Sequence, residues 1–313
     1  MAQIAIGLLT LGAGLALMIL SADKAVKHGA LIAASLGVSP FMIGLVVVSL
    51  GTDLPEIANS IESCALGHGD LALGDAVGSV FTQLTLVLGL LPLLGSPFRV
   101  QRKQILVTGT CQLLALVQVI SIVEKGHISR SNALALVASW PLYMLLVRAA
   151  EPEHVLDKLG DLAVQRSRLY HASLIALGLV GVGAGAYIVI QSAIRLSAFL
   201  QLAEYLVSFF IVSLGTSLPE LVVDLAALRR REYEIAIGDL MGSCIVDATL
   251  SIGIGQVFFP QSVSGALARS SIAYMLLATA IVVTLLAWRR KLEKKAGAVF
   301  IGLYLASYAL LAL

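Results

Sequence analysis

Glu56 and Glu220 each follow a proline near the centre of a long apolar run, in Val48-Ser-Leu-Gly-Thr-Asp-Leu-Pro-Glu56 and Val212-Ser-Leu-Gly-Thr-Ser-Leu-Pro-Glu220. Asp75 and Asp239 sit in a second matched pair, Leu73-Gly-Asp-Ala-Val-Gly-Ser79 and Ile237-Gly-Asp-Leu-Met-Gly-Ser243. Both pairs, and Gly89 with Gly253, align at one offset of 164 residues without a gap. An ionised side chain at bilayer depth costs roughly 2.5–3.5 kcal/mol on insertion scales. No apolar segment carries a central Lys or Arg, so the neutralising charge must come from metal ions, protons or both.

The local chemistry is that of oxygen ligation. Pro55 and Pro219 each remove a backbone donor and clash with the preceding turn, and the adjacent Gly51 and Gly215 tolerate non-helical dihedrals. The freed carbonyls, with the Thr52 hydroxyl, become available as ligands, and Glu56 follows immediately after the break. Irregular backbone at this depth is tolerated only where protein buries it or where it lines a watery cavity. A proline kink with a carboxylate snorkelling to the surface is a simpler reading, but both glutamates lie too deep in their runs for it. Asp75, Ser79 and Gln83 fall four residues apart on one helix face, as do Asp239, Ser243 and Asp247. Gly74 and Gly78, like Gly238 and Gly242, form small-xxx-small pairs suited to close helix packing.

Such a donor set suits hard cations. Ca²⁺ accepts six to eight oxygens in flexible geometry, whereas Mg²⁺ demands a near-ideal octahedron. Na⁺ would use the same oxygens. No thiolate or imidazole set for a softer metal is present. His28, His68, His127, His154 and His171 fall at segment ends or in loops and are expected to be solvated. Cys64, Cys111 and Cys244 have no metal-ligand spacing and read as packing residues. Glu62, Asp224 and Glu204 are weaker candidates for an ion path.

The elements that position these residues follow from composition. The apolar fraction is 58%, charged residues are 13%, and mean hydropathy is +0.95 over 313 residues, against about 25% charged residues in a soluble domain. This is an all-α polytopic membrane protein with room for about ten spans of ~20 residues. The predicted limits are 2–20, 39–65, 71–97, 104–122, 131–148, 170–193, 199–228, 235–259, 268–288 and 297–313. Ser39-Pro40 marks the second start, with Ser as N-cap and Pro in the first turn. Residues 1–20 lack a preceding basic region and read as the first span, not as a cleaved leader. The net charge of +2 gives no reason to expect nucleic acid; the expected contacts are small cations and membrane lipid, and no oligomeric state is specified.

Odd-numbered connections carry 17 Lys and Arg residues and even-numbered ones carry 4, which places the odd loops in the cytoplasm and both termini outside. Spans 2 and 7, which hold the Pro-Glu motifs, are five crossings apart. The halves are therefore inverted relative to each other, with broken helices 2 and 7 at the centre, an architecture common among secondary transporters. The expected division is residues 1–150 (spans 1–5), a polar cytoplasmic linker at 151–169, and residues 170–313 (spans 6–10).

At these motifs the chain resembles the cation/calcium exchanger superfamily, in particular its prokaryotic sodium/calcium exchanger-like branch. Gly-Thr-x-Leu-Pro-Glu at 51–56 and 215–220 and Gly-Asp-x-x-Gly-Ser at 74–79 and 238–243 carry the likeness. Ser21-Ala-Asp-Lys-Ala-Val-Lys-His-Gly-Ala30 and Leu36-Gly-Val-Ser-Pro-Phe-Met-Ile-Gly44 extend it, and it covers essentially the whole chain. The resemblance implies a ten-helix fold in a prokaryotic inner membrane, a central four-site cluster and electrogenic Na⁺/Ca²⁺ antiport by alternating access, with no cofactor. By matching position the implied ligands are Thr52, Glu56, Asp75, Ser79, Thr216, Ser217, Glu220, Asp239 and Ser243.

Three departures bear on the ions. Asp53 stands where the family usually has Ser, which Ser217 retains. Asp75 and Asp239 are both acids, where one is often Asn. The Gly-Ser-Asn-x-x-Asp continuation becomes Gly78-Ser-Val-Phe-Thr-Gln83 and Gly242-Ser-Cys-Ile-Val-Asp247. Asp53 therefore joins the metal-ligand candidates, and the formal site charge reaches −5 with Asp53, Glu56, Asp75, Glu220 and Asp239. Carboxylates packed without cations resist simultaneous ionisation. At least one of Asp53, Asp75 and Asp239 is thus expected to carry a proton in part of the cycle, which opens H⁺-coupled exchange of Ca²⁺ or another divalent cation as an alternative. A cation channel is a further reading. An intramembrane aspartyl protease is disfavoured, because Ala72-Leu73-Gly74 and Ala236-Ile237-Gly238 lack the Gly-x-Gly-Asp pattern and proteolysis leaves the doubled Pro-Glu motif unexplained. No enzymatic activity is expected.

Overall fold

The structure is a computed structural model that describes residues 2–34, 39–150 and 168–311. The predicted linker at 151–169 lies, apart from its last two residues, outside the described residues. The first five helical units are α1 (Ala2–Ala34), α2 (Pro40–Thr52 continuing as Leu54–Ala65), α3 (Gly69–Leu94), α4 (Arg102–Val123) and α5 (Arg130–Ala150). The second five are α6 (Arg168–Leu200), α7 (Glu204–Arg229), α8 (Tyr233–Phe258), α9 (Gly265–Arg289) and α10 (Lys294–Leu311). Their order follows the predicted spans. The largest difference is at α1, which runs on as helix past its apolar part, Ile6–Ser21, through the basic stretch containing Lys24. Seven units are long and apolar enough to cross a membrane as single helices, and the bent α2 makes eight.

The sequence signals act locally as their chemistry requires. Ser39 Oγ accepts from the Met42 amide at 3.3 Å and Pro40 occupies the first turn, starting α2. Asp53 leaves helical geometry (ψ 3°), and α2 bends by 41° there, with Pro55 opening its second half. Ser217 repeats the dihedrals (ψ 5°), with Pro219 after it. π-helical turns precede these breaks at Ile43–Val48 and Ser208–Val212, and two more lie in α3 at Thr82–Val87 and in α8 at Asp247–Ser251, two per repeat at equivalent positions. Such widened turns are frequent at functional sites.

Each half of the molecule packs its third helix against the broken helix of the other half. A Cβ on Gly78 (α3) would collide with the Phe209 carbonyl of α7, and one on Gly242 (α8) with the Leu45 carbonyl of α2. Gly74 meets Tyr205, and Gly238 meets Phe41, in the same way. The glycines therefore bring α3 against α7 and α8 against α2 backbone to backbone, which sets the site's four helices around one centre. α8 is 89% and α3 78% buried over their most apolar stretches, while α5 is only 28% buried. The former are the core, and the latter shows Leu142, Leu145 and Leu146 to lipid.

Two short pairings tie the ends. β1 (Phe98–Arg99) pairs antiparallel with β2 (Lys291–Leu292), and His127 bridges Ser262 at the repeat-equivalent place. α1 and α6 pack on each other through Gly14 and Gly185. They share a small apolar cluster with Met18, Val189 and Ile190, separate from the main core. All three cysteines are buried and free, as expected of packing residues.

Candidate cation site

The two chain breaks meet at the centre. Asp53 and Glu56 of α2 and Glu220 of α7 place one carboxylate oxygen each within 4.8 Å of one another. Three oxygens within that spacing lie no more than about 2.8 Å from a common centre, close to the 2.3–2.6 Å of Ca²⁺–oxygen bonds, so a small inward shift lets one ion touch all three. Asp53 faces Glu220 with no donor between them. Both oxygens of Asp53, both of Glu220 and Oε2 of Glu56 are without hydrogen-bond partners among the described residues. Buried acceptors in that state are strongly destabilising unless a positive species binds them.

Around this cage the two repeats exchange threonines. Thr216 Oγ1 donates to Asp75 Oδ1 at 3.1 Å, and Thr52 Oγ1 lies 3.3 Å from Asp239 Oδ1. Ser79 donates to Glu56 Oε1 at 3.2 Å and lies 3.3 Å from the Thr216 hydroxyl. Ser243 is 3.4 Å from the Thr52 hydroxyl. Each threonine also reaches a carbonyl of its own preceding turn, Ser49 or Ser213. Each hydroxyl carries one hydrogen, so it donates either to that carbonyl or to the carboxylate, not to both at once.

All ten residues singled out from sequence are at 1% exposure or less: Thr52, Asp53, Glu56, Asp75, Ser79, Thr216, Ser217, Glu220, Asp239 and Ser243. The structure separates them into roles of position. Asp53, Glu56 and Glu220 form the cage, while Asp75 and Asp239 flank it, each held by the threonine of the opposite repeat. Ser217, at the second break, has a buried hydroxyl without a partner.

Four residues were not in the sequence-derived set. Gln83 donates to Asp247 at 3.1 Å across the centre. The face shared with Ser79 and Ser243 was the signal for them. Asn59 donates to Asp75 Oδ2 at 2.8 Å. Asp224, a weaker candidate from sequence, is fully buried and faces Asp239, with both of its oxygens unpartnered. With Asp247 and Asp224 the buried acids number seven, and no Lys, Arg or His is buried among the described residues. Glu62 is half-buried and makes no site contact in the described structure. Glu204 is also outside the site. Its carboxylate lies 2.9 Å from His68 Nδ1, and both side chains are partly shielded, so His68 is less open to solvent than expected of a loop histidine.

The chain is 30% identical over 292 residues to the inner membrane protein YrbG of Escherichia coli K12, covering 91% of this chain and 89% of that one. It is 27% identical over 310 residues to the putative antiporter CaxA of Alkalimonas amylolytica, covering 95% and 96%. A solved structure of the sodium-calcium exchanger NCX_Mj, soaked with Na⁺ and Sr²⁺, superimposes with a TM-score of 0.69 at 27% identity, covering 98% of this chain and 99% of that one. The sequence profile described as sodium/calcium exchanger protein matches residues 6–148 and 170–313, nearly the whole chain in two blocks. The chain belongs to the sodium/calcium exchanger protein family.

Proposed function

We propose that this chain exchanges Ca²⁺ for Na⁺ across a prokaryotic cell membrane by alternating access, with the basic odd-numbered loops in the cytoplasm. The observation that carries the reading is the Asp53–Glu56–Glu220 cage, three buried carboxylates from opposite halves within 4.8 Å and, among the described residues, with no buried base to meet them. In this reading Glu56, Glu220 and Asp53 hold the ion directly. Thr52, Ser79, Thr216, Ser217 and Ser243 supply neutral oxygens, and Asp75 and Asp239 complete the ligand set from either side. The halves 1–150 and 170–313, joined by the segment 151–169, are the units that rearrange around the site. No bond is made or broken in the cargo, so the protein acts as a carrier and not as an enzyme.

H⁺-coupled exchange is the second reading, and the seven buried acids favour it. One Ca²⁺ neutralises two of them, and protons are the simplest company for the remainder. Purified protein in liposomes tests both. Ca²⁺ uptake driven by an outward Na⁺ gradient at fixed pH supports Na⁺ coupling. Uptake that ignores Na⁺ but follows a pH gradient replaces it with H⁺ coupling. Stimulation of uptake by Ca²⁺ trapped inside marks an exchanger, and its absence marks a channel.

A further inference from the structure

The repeats differ on either side of the cage, and the difference defines a second place for a cation. On one side Asp75 is fully satisfied: Thr216 holds Oδ1 at 3.1 Å and the Asn59 amide holds Oδ2 at 2.8 Å. On the other side Thr52 holds Asp239 Oδ1 at 3.3 Å, but Oδ2 has no partner. The repeat-equivalent of Asn59 is Val223, which cannot donate, and the neighbouring position, Ser60 in the first repeat, is Asp224 in the second. Asp224 is 0% exposed, both its oxygens are unpartnered, and it faces Asp239 directly, with Glu220 as its other charged neighbour. Acceptor thus meets acceptor where the first repeat puts an N–H.

We infer that Asp224 and Asp239 hold a small hard cation between them, at a second site one helical turn from the Asp53–Glu56–Glu220 cage. The Thr52 hydroxyl is the neutral oxygen within reach of the same carboxylate. Two carboxyl groups facing each other without other donors in a dry interior need a positive species between them, a shared proton or a bound cation, and among metal ions an all-oxygen set selects a hard one. Asp224 follows Glu220 by four residues toward the Arg229 end of α7, and Asp239 lies in the half of α8 that begins at Tyr233. The second site therefore lies between the cage and the membrane face bearing Arg229, Arg230 and Arg231. The opposite half offers Asp75 with both oxygens already accepting hydrogen bonds, from Thr216 and Asn59, so an ion leaving the cage finds an unpartnered carboxylate pair on one side alone.

This inference takes the available ions from the exchange reading but rests on its own geometry, and the two are read at different places. Crystals of the wild-type protein soaked with Tl⁺ (for a monovalent ion) or Sr²⁺ (for a divalent one) would be examined by anomalous scattering. A peak between the Asp224 and Asp239 carboxylates in either soak is expected, and the soak that gives it assigns the charge class. Absence of that peak in both soaks overturns the second site, whether or not the cage is filled. Absence at the cage instead counts against the exchange reading. Equilibrium binding of ²²Na⁺ and ⁴⁵Ca²⁺ to the intact protein gives an independent measure. Asp224→Asn, which restores an amide donor beside Asp239, should bind one cation fewer per chain. An unchanged stoichiometry for both ions in a folded Asp224→Asn protein would also overturn it.

Discussion

Gln83 and Asp247 are the same position in the two repeats, 164 residues apart, and they hydrogen-bond to each other at 3.1 Å. Two equivalent residues can touch only where the axis relating the halves passes between them. Their contact therefore locates that axis, and it does so inside the ion site. The pair is chemically unequal: the amide donates, the carboxylate accepts, and Asp247 keeps Oδ1 without a partner. The centre thus carries a carboxyl group on the α8 side where the α3 side has an amide.

That free oxygen makes Asp247 more than a partner for Gln83. Asp247→Asn preserves the hydrogen-bonding shape while removing the charge. Ca²⁺ affinity should fall at least tenfold, about 1.4 kcal/mol, when measured by isothermal titration. An unchanged affinity would restrict Asp247 to holding α3 and α8 together.

Glu56→Gln and Glu220→Gln each take one charge from the cage and put an amide donor where a cation is expected. Each should reduce Ca²⁺-driven counterflow in liposomes more than a hundredfold without changing the protein's elution as a folded species. The effects should be similar in size, because the two glutamates are repeat equivalents and both are buried at 1% exposure or less. A variant with wild-type turnover would remove its glutamate from the ion path.

Much of this was legible in the sequence, for physical reasons that also set the limit. Acids placed in apolar segments without bases announce themselves by their cost, so Asp53, Glu56, Asp75, Glu220 and Asp239 stood out. Proline after glycine foretold the departures from helical geometry at Asp53 and Ser217, although only α2 bends sharply there. Asn59 was silent because a neutral amide in an apolar run has many possible uses, and only its 2.8 Å bond to Asp75 reveals this one. Asp224 was visible as an acid but not as a neighbour of Asp239, since that contact depends on how α7 and α8 cross. The division of ten residues into a cage and two flanks likewise depends on distances between helices, which no spacing along one helix encodes.

The glycine contacts carry a stability prediction. Gly78→Ala drives a methyl group into the Phe209 carbonyl and Gly242→Ala drives one into the Leu45 carbonyl, with Ser213 and Ser49 also in the way. Backbone cannot move aside as a flexible side chain does, so overpacking of this kind should cost about 1–3 kcal/mol each. Thermal unfolding in detergent should show both variants melting below wild type. Gly302→Ala, at a position where no atom approaches within 4 Å, should not. Equal melting of all three would mean that α3 and α8 are not held against the opposite half as described.

Asp53 tests the excess of charge. Its repeat equivalent is Ser217, so Asp53→Ser makes the two breaks alike and removes one of the three cage carboxylates. Cation binding to carboxylates that share protons must displace those protons, so Ca²⁺ affinity rises with pH, more steeply when more protons are displaced. With one acid fewer, less charge is crowded into the cage and fewer protons need be held there before Ca²⁺ arrives. The slope of log Kd against pH should therefore be shallower in Asp53→Ser than in wild type, and proton release on Ca²⁺ addition, followed with a pH indicator in weak buffer, should be smaller. If slope and release match wild type, Asp53 holds no exchangeable proton, and the cage charge is balanced by metal ions alone.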